Sequence, residues 1–187
     1  KQPDARTGGE AFELMTNGVM RWNLWLFLVK RSLYLNNDIH FIPGMNMGED
    51  MMVMLKLALS VQKISVIHLP LYHYIQTNSN SLTKDYLRYK DQLTYNVQEV
   101  ENYLNTKGRK DQTTQMNKLK LAVKLPLLIS ARVQDYKEWQ SWFPEANVLA
   151  NTQYGVTTRT YLLQKAAYHQ HYWYLKLYYF CIIKSNI

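Results

Sequence analysis

Cysteine is nearly absent from this sequence: Cys181 stands alone. One thiol can form neither an internal disulfide framework nor a cysteine-based metal cluster, and it fits a reducing compartment. Glycine and proline are sparse and scattered, with no tract that would mark a flexible linker. Internal repeats are missing too, which excludes solenoids and propellers. No zinc-ligand spacing, RNP-like strand or basic recognition helix accompanies the net charge of +8, so nucleic acid is not the expected partner. No run of about 20 apolar residues is present to span a bilayer.

What remains is globular. Apolar residues make up 47 % of the 187 and charged residues 19 %, a balance that buries a core rather than leaving the chain disordered. Tyrosine is abundant, with 15 copies, and there are 5 tryptophans. Both pair an apolar body with a polar tip and suit half-buried surfaces and interfaces. The sequence begins at Lys1 with no signal peptide, the pattern expected of a trimmed piece of a longer cytoplasmic protein.

The pattern changes near Thr83. Before it, short segments alternate in character; after it, the periodicity is helical. In the first zone, Glu10 to Asn17 predicts a short helix stopped by Gly18. Trp22 to Val29 is an apolar run broken only by Asn23 and predicts a buried strand first, with a helix as the alternative. Ile39 to Ile42 predicts a second strand, ended by the turn signal Pro43-Gly44. Gly48-Glu49-Asp50 then opens a helix in which Met51, Leu55, Ala58 and Leu59 recur at helical spacing. Lys63 to Leu69, with Ile64, Val66 and Ile67, predicts a third strand, and Leu71 to Ile75 a fourth.

In the second zone, Tyr86, Tyr89, Leu93, Val97, Val100 and Leu104 share one face of a helix from Lys84 to Lys107, which Gly108 can close. Met116 to Arg132 predicts a helix kinked or split at Pro126. Phe143-Pro144 marks a boundary. Thr157 or Thr158 caps a last helix.

The sharpest local feature is Glu49-Asp50, two carboxylates after a glycine and at the head of an apolar helix. By itself this is a cap: acidic side chains face the positive end of the helix dipole and accept its free N–H groups. Its setting adds meaning. Trp25-Leu26-Phe27-Leu28-Val29-Lys30-Arg31, then Ile39-His40-Phe41, then Gly48-Glu49-Asp50, then Leu71-Tyr72-His73-Tyr74, then Ser79-Asn80-Ser81-Leu82-Thr83 form an ordered series. The series resembles the acceptor-side half of bacterial family 2 glycosyltransferases of the GT-A fold, over roughly Trp25 to Thr83.

The resemblance implies an α/β remnant of a GT-A domain over residues 1–83, followed by a mostly α-helical region over 84–187. It implies an inverting transfer of sugar from a nucleotide-sugar donor to a glycan or lipid-linked acceptor in cell-surface polysaccharide synthesis. Asp50 matches the base that accepts the proton of the acceptor hydroxyl, and Glu49 matches a residue that orients the acceptor or the metal-side network. His73, Ser79 and Ser81 match positions near the metal or the donor diphosphate; as plain residues they also read as a strand histidine and a polar loop. A divalent metal, Mn or Mg, is implied for the full-length enzyme, held by an Asp-x-Asp motif. No Asp-x-Asp occurs in this sequence, and Phe27, Ile75 and Gln76 stand where relatives often carry basic residues. The 187 residues alone are therefore expected to bind neither donor nor metal and to be inactive.

The aromatic tail from Tyr172 to Ile183 reads in two ways. Trp173, Leu177, Phe180 and Lys184 share one helical face, which suits a peripheral anchor on the inner membrane face. The same face suits packing on neighbouring helices or in a homo-oligomer, and packing is the favoured expectation because a large exposed aromatic face promotes aggregation. A non-catalytic helical module docking on a membrane or protein partner is the alternative to the enzyme.

Overall fold

The computed structural model describes residues 3–73, 82–108 and 112–184, the backbone alone for 82–85. Two compact units divide at Gln112/Thr113.

The first unit is built around one helix. Helix α1 is Gly8–Thr16, α2 is Arg31–Asn36, α3 is Glu49–Ser60 and α4 is Lys90–Thr106. Helix α3 is buried almost all round, from Met51 to Leu55 and again from Leu57 to Leu59. A helix apolar over most of its circumference, with polar Glu49, Lys56 and Ser60 along one strip, has to be central, and both α1 and α4 pack on it. From α1 come Ala11, Phe12 and Met15; from α4 come Leu93, Val97, Val100 and Leu104, all buried. The stripe of leucines and valines that the sequence shows on α4 thus faces α3, while residues 82–89 form a 3-10 lead-in.

Local chemistry sets the boundaries. Thr7 and Glu10 form a capping box at α1, with Glu10 N–H on Thr7 Oγ1 at 3.2 Å and Thr7 N–H on Glu10 Oε2 at 3.3 Å. Gly8 is required by packing: a Cβ there would lie 2.0 Å from the Ala58 carbonyl oxygen and 2.3 Å from that of Val61.

The expected α/β architecture is corrected by the structure, since every regular element among the described residues is a helix. Trp22 to Val29 holds a 3-10 turn at Leu24–Leu26, closed by Phe27 N–H on the Leu24 carbonyl at 3.0 Å. Ile39 to Ile42 is irregular, and only Ile39 of it is buried. Lys63 to His73 is irregular as well, with Ile67, Leu69 and Leu71 each about two-thirds exposed or more. Tyr74 and Ile75 lie outside the described residues. The physical reason is cooperative. β-branched content favours a pleated surface only when a neighbouring strand supplies hydrogen bonds and cross-strand contacts. Among the described residues, the backbone bond this segment makes outside itself is Ile64 N–H on the Arg6 carbonyl at 2.9 Å.

The second unit holds α5 at Thr113–Lys124, α6 at Val133–Ser141, α7 at Thr158–Tyr168 and α8 at Tyr172–Tyr178. The break expected at Pro126 is present, but the helix expected to run on to Arg132 does not resume: α5 stops at Lys124, a 3-10 turn, Leu125–Leu128, follows, and residues 129–132 are not helical. Before Pro144, Phe143 takes a left-handed conformation at φ 52°. Thr157 caps α7 by accepting Thr160 N–H at 3.2 Å. Gln170, at φ 58°, turns the chain from α7 into α8, which runs into one π turn at Tyr179–Ile183. Leu119, Leu121, Leu128, Tyr136, Trp139, Leu163 and Leu175 form the core.

At its centre Lys124 is fully buried. Its ammonium donates to the carbonyls of Trp139 at 2.9 Å, Trp142 at 2.7 Å and Phe143 at 3.2 Å, and to Asn147 Oδ1. It also sits 4.3 Å from the centre of the Trp139 ring. The lysine therefore donates to carbonyls at and just beyond the C-terminus of α6 and complements the negative end of its dipole. No described helix is long and apolar enough to cross a membrane.

Candidate active site around Asp50

Gly48 sets the start of α3. It sits at φ 83°, a left-handed conformation that disfavours any side chain, and a Cβ there would lie 2.9 Å from Leu93 Cδ2. The close approach of α4 thus requires glycine at the residue that aims Glu49 and Asp50. Two polar residues of α4 hold the loop before it. Gln92 accepts the Asn46 N–H at 2.9 Å and donates to the Gly44 carbonyl at 3.3 Å. One turn later, Asn96 donates to the Met47 carbonyl at 2.9 Å. The sequence reading missed both. Their signal was present as polar side chains beside the apolar stripe of α4, and Asn96 is fully buried.

Asp50 is half-buried and forms no ion pair among the described residues. Its Oδ2 accepts the backbone N–H of Leu24 at 3.3 Å. Burial pushes its pKa up, opposed by that Leu24 bond. The helix dipole would lower it, so desolvation outweighs the stabilising contacts. Glu49 is raised as well, by burial first and by the neighbouring Asp50 charge, against its own backbone N–H. A carboxylate with a raised pKa and spare lone pairs is a better proton acceptor than a fully solvated one.

Beside Asp50, the residue after Leu24 carries a large aromatic surface. Trp25 stacks on Tyr72, ring centres 6.2 Å apart and planes 25° from parallel. Both residues are partly exposed, Trp25 at 39 % and Tyr72 at 53 %. Three segments separated in sequence, Leu24-Trp25, Glu49-Asp50 and Leu71-Tyr72, are thereby linked. His73, next in the chain, is exposed, and its ring makes no hydrogen bond to either carboxylate. Ser79 and Ser81 lie outside the described residues, while Leu82 and Thr83 of the same series open the 3-10 lead-in to α4.

The metal that the resemblance implies finds no donor set here. No three His, Cys, Asp or Glu side chains converge among the described residues, and Glu49 with Asp50 supplies two carboxylates without a third ligand. No chemical step is derived through a metal.

A cavity of about 510 Å³ opens elsewhere on the first unit, between α3 and α4. Lys56, Glu99, Tyr103 and Lys107 line it, together with Asp38 and His40. Lys56 is matched by Glu99 at 3.0 Å, while Lys107 donates to the neutral Asn37 amide at 3.3 Å. Asp50 is not among its walls, so the cavity and the carboxylate are separate features.

No family model matches this chain, no characterised protein matches it in sequence, and no solved structure matches its fold. The site must be interpreted from its own residues.

Proposed function

We propose that this chain is the acceptor-binding part of an inverting glycosyltransferase similar to family 2, with Asp50 as the general base. The observation that carries the reading is the Leu24 N–H bond to Asp50, with Tyr72 stacked on the adjacent Trp25. It joins three members of the motif series that are far apart in sequence, at a carboxylate whose pKa is raised. The reading rests on this site and not on a GT-A sheet.

The chemistry follows from the parts. An acceptor sugar presents a C–H face that packs on an aromatic ring and a rim of hydroxyls that hydrogen-bond. The partly exposed Trp25 and Tyr72 offer the first, and Asp50 and Glu49 the second. As the acceptor oxygen attacks the anomeric carbon of the nucleotide sugar, its proton passes to Asp50. The bond from that carbon to the diphosphate oxygen breaks, the nucleotide diphosphate departs with the electron pair, and the anomeric configuration inverts. The acceptor would lie on the cytoplasmic side, as a glycan or a lipid-linked saccharide, and residues beyond these 187 would grip the donor. Exposed Leu28, Ile67, Leu69 and Leu71 give the first unit an apolar surface on which more protein could pack.

Calorimetric titration of the chain with oligosaccharides, and separately with UDP-sugars plus manganese, tests the reading. Saturable binding of a glycan, weakened by Trp25→Ala and by Tyr72→Ala, is expected, with no heat from the nucleotide sugars. Metal-dependent micromolar binding of a UDP-sugar would assign this chain a donor site and overturn the reading. So would the absence of binding to every oligosaccharide in a broad panel.

A further inference from the structure

The tail of the second unit does not bury its aromatic face. In α8 and the π turn that follows, Leu175 is the buried residue, and the opposite side carries Trp173 at 67 % exposure, Leu177 at 54 % and Phe180 at 49 %. These three recur at steps of four and three and so form one stripe. Packing on neighbouring helices of the unit, one of the two forms of the packing expectation, is therefore not how this face is used. Lys176 flanks the stripe and Lys184 continues it, its ammonium 5.6 Å from the Phe180 ring.

Charge identifies what fits there. After Glu145 the sequence contains no aspartate or glutamate, while Arg159, Lys165, Lys176 and Lys184 are all cationic. All four are exposed. An exposed apolar and aromatic stripe with exposed Lys176 beside it and Lys184 at its end is complementary to anionic lipid. Tryptophan and phenylalanine enter the boundary between headgroup and acyl chain, and lysines reach back from it toward phosphate. A protein partner fits less well, because the cores of protein interfaces are depleted in lysine. The helix is too short to span, so it would lie in the interfacial plane.

We propose that the outward face of residues 173–184 docks the second unit on an anionic lipid surface, Trp173, Leu177 and Phe180 inserting and Lys176 and Lys184 meeting the headgroups. The inference does not depend on Asp50 or on sugar transfer. For an enzyme acting on a lipid-linked acceptor, it would raise the local concentration of substrate.

Flotation of the chain with phosphatidylcholine vesicles, with and without phosphatidylglycerol, tests the proposal. Binding is expected to require the anionic lipid and to weaken at high salt, where screening shortens the reach of the charges. Lys176→Glu with Lys184→Glu should lower the partition by at least about tenfold, given roughly fivefold for each lysine near such a surface. Trp173→Ala with Phe180→Ala should lower it comparably while leaving the circular dichroism melt unchanged, since both rings are exposed. Three results would each overturn the proposal. The chain could fail to float with either vesicle, or it could float equally with both and ignore the substitutions. Or sedimentation could show a dimer that the Trp173→Ala, Phe180→Ala pair dissociates, which would assign the stripe to a second copy of the chain.

Discussion

The side-chain amide of Asn96 donates to the Met47 carbonyl at 2.9 Å across 49 residues of sequence, tying α4 to the residue before Gly48. Through this bond the middle of one helix fixes the first turn of another. Asp50 owes its position to that register, because Gly48 must bend the chain while packed against Leu93 and Asn96.

Removing the Asn96 amide is therefore expected to loosen the site before it unfolds the unit. Asn96→Ala leaves the buried Met47 carbonyl without its donor, a loss of roughly 1–3 kcal/mol. The lower end is expected, because Asn96 Oδ1 is itself buried with no partner, and that burden disappears in the variant. Urea denaturation measures the stability. A fall in glycan binding larger than the stability loss explains would mark Asn96 as a positioning residue. Unchanged binding would leave it a structural tie.

Asp50 should separate activity from stability. On the proposed reading, Asp50→Asn preserves shape and can no longer take up the proton, so turnover of the intact enzyme is expected to fall by about two to four orders of magnitude. The sign of the stability effect follows from the raised pKa. A carboxyl group whose folded value lies above its unfolded value contributes stability at low pH, and this is lost as pH rises through the folded value. At neutral pH the charged form is the disfavoured one in the fold, so Asp50→Asn should not lower the melting temperature. The acid limb of the rate profile should lie above the ordinary aspartate range. A variant with near-native turnover would return Asp50 to a helix cap.

Much of the helical organisation was legible. The start of α3 at Gly48-Glu49, the apolar face of α4, the break at Pro126 and the Thr157 cap each depend on a few neighbouring residues and were readable from them. The strands were not, because Val66 and Ile67 carry a preference that only a pairing partner can realise. The site was legible in part. Glu49 and Asp50 announce themselves by position, but burial rather than the dipole sets the direction of their pKa shifts, and burial is a tertiary property. The roles of Leu24, Gln92 and Asn96 depend on contacts across 26 to 49 residues, which no local pattern encodes.

Three glycines should respond to alanine in three ways. At Gly9, inside α1, a Cβ meets nothing within 4 Å, so alanine should stabilise the protein by about 0.5–1 kcal/mol. At Gly48 the left-handed backbone costs roughly 1–2 kcal/mol, and the 2.9 Å approach to Leu93 adds to it. At Gly8 the obstacle is backbone, two carbonyl oxygens that no rotamer change can move, so alanine should be the most harmful. Melting temperatures in the order Gly9→Ala, wild type, Gly48→Ala, Gly8→Ala are expected. Equal values for Gly8→Ala and wild type would contradict the close packing of α1 on α3.

Lys124 should make the second unit sensitive to pH. Burial pushes its pKa down from 10.5 to about 7, with Glu145 opposing the shift. Between these two values the unfolded chain holds a proton on Lys124 that the folded chain tends to release. Unfolding then takes up protons, and stability increases as pH rises from about 7 toward 10.5. Below pH 7 both states are charged and the dependence on this group vanishes. Guanidine melts of the chain across this range should show the slope, and Lys124→Met should flatten it. The variant should also be less stable throughout, because the carbonyls of Trp139, Trp142 and Phe143 lose the Lys124 ammonium, and only for Phe143 does the Ala146 N–H at 3.1 Å stand in part for it. If the slope survives in Lys124→Met, another group carries it. If the wild type shows no slope, the four acceptor oxygens around Nζ hold the ammonium charged against its burial.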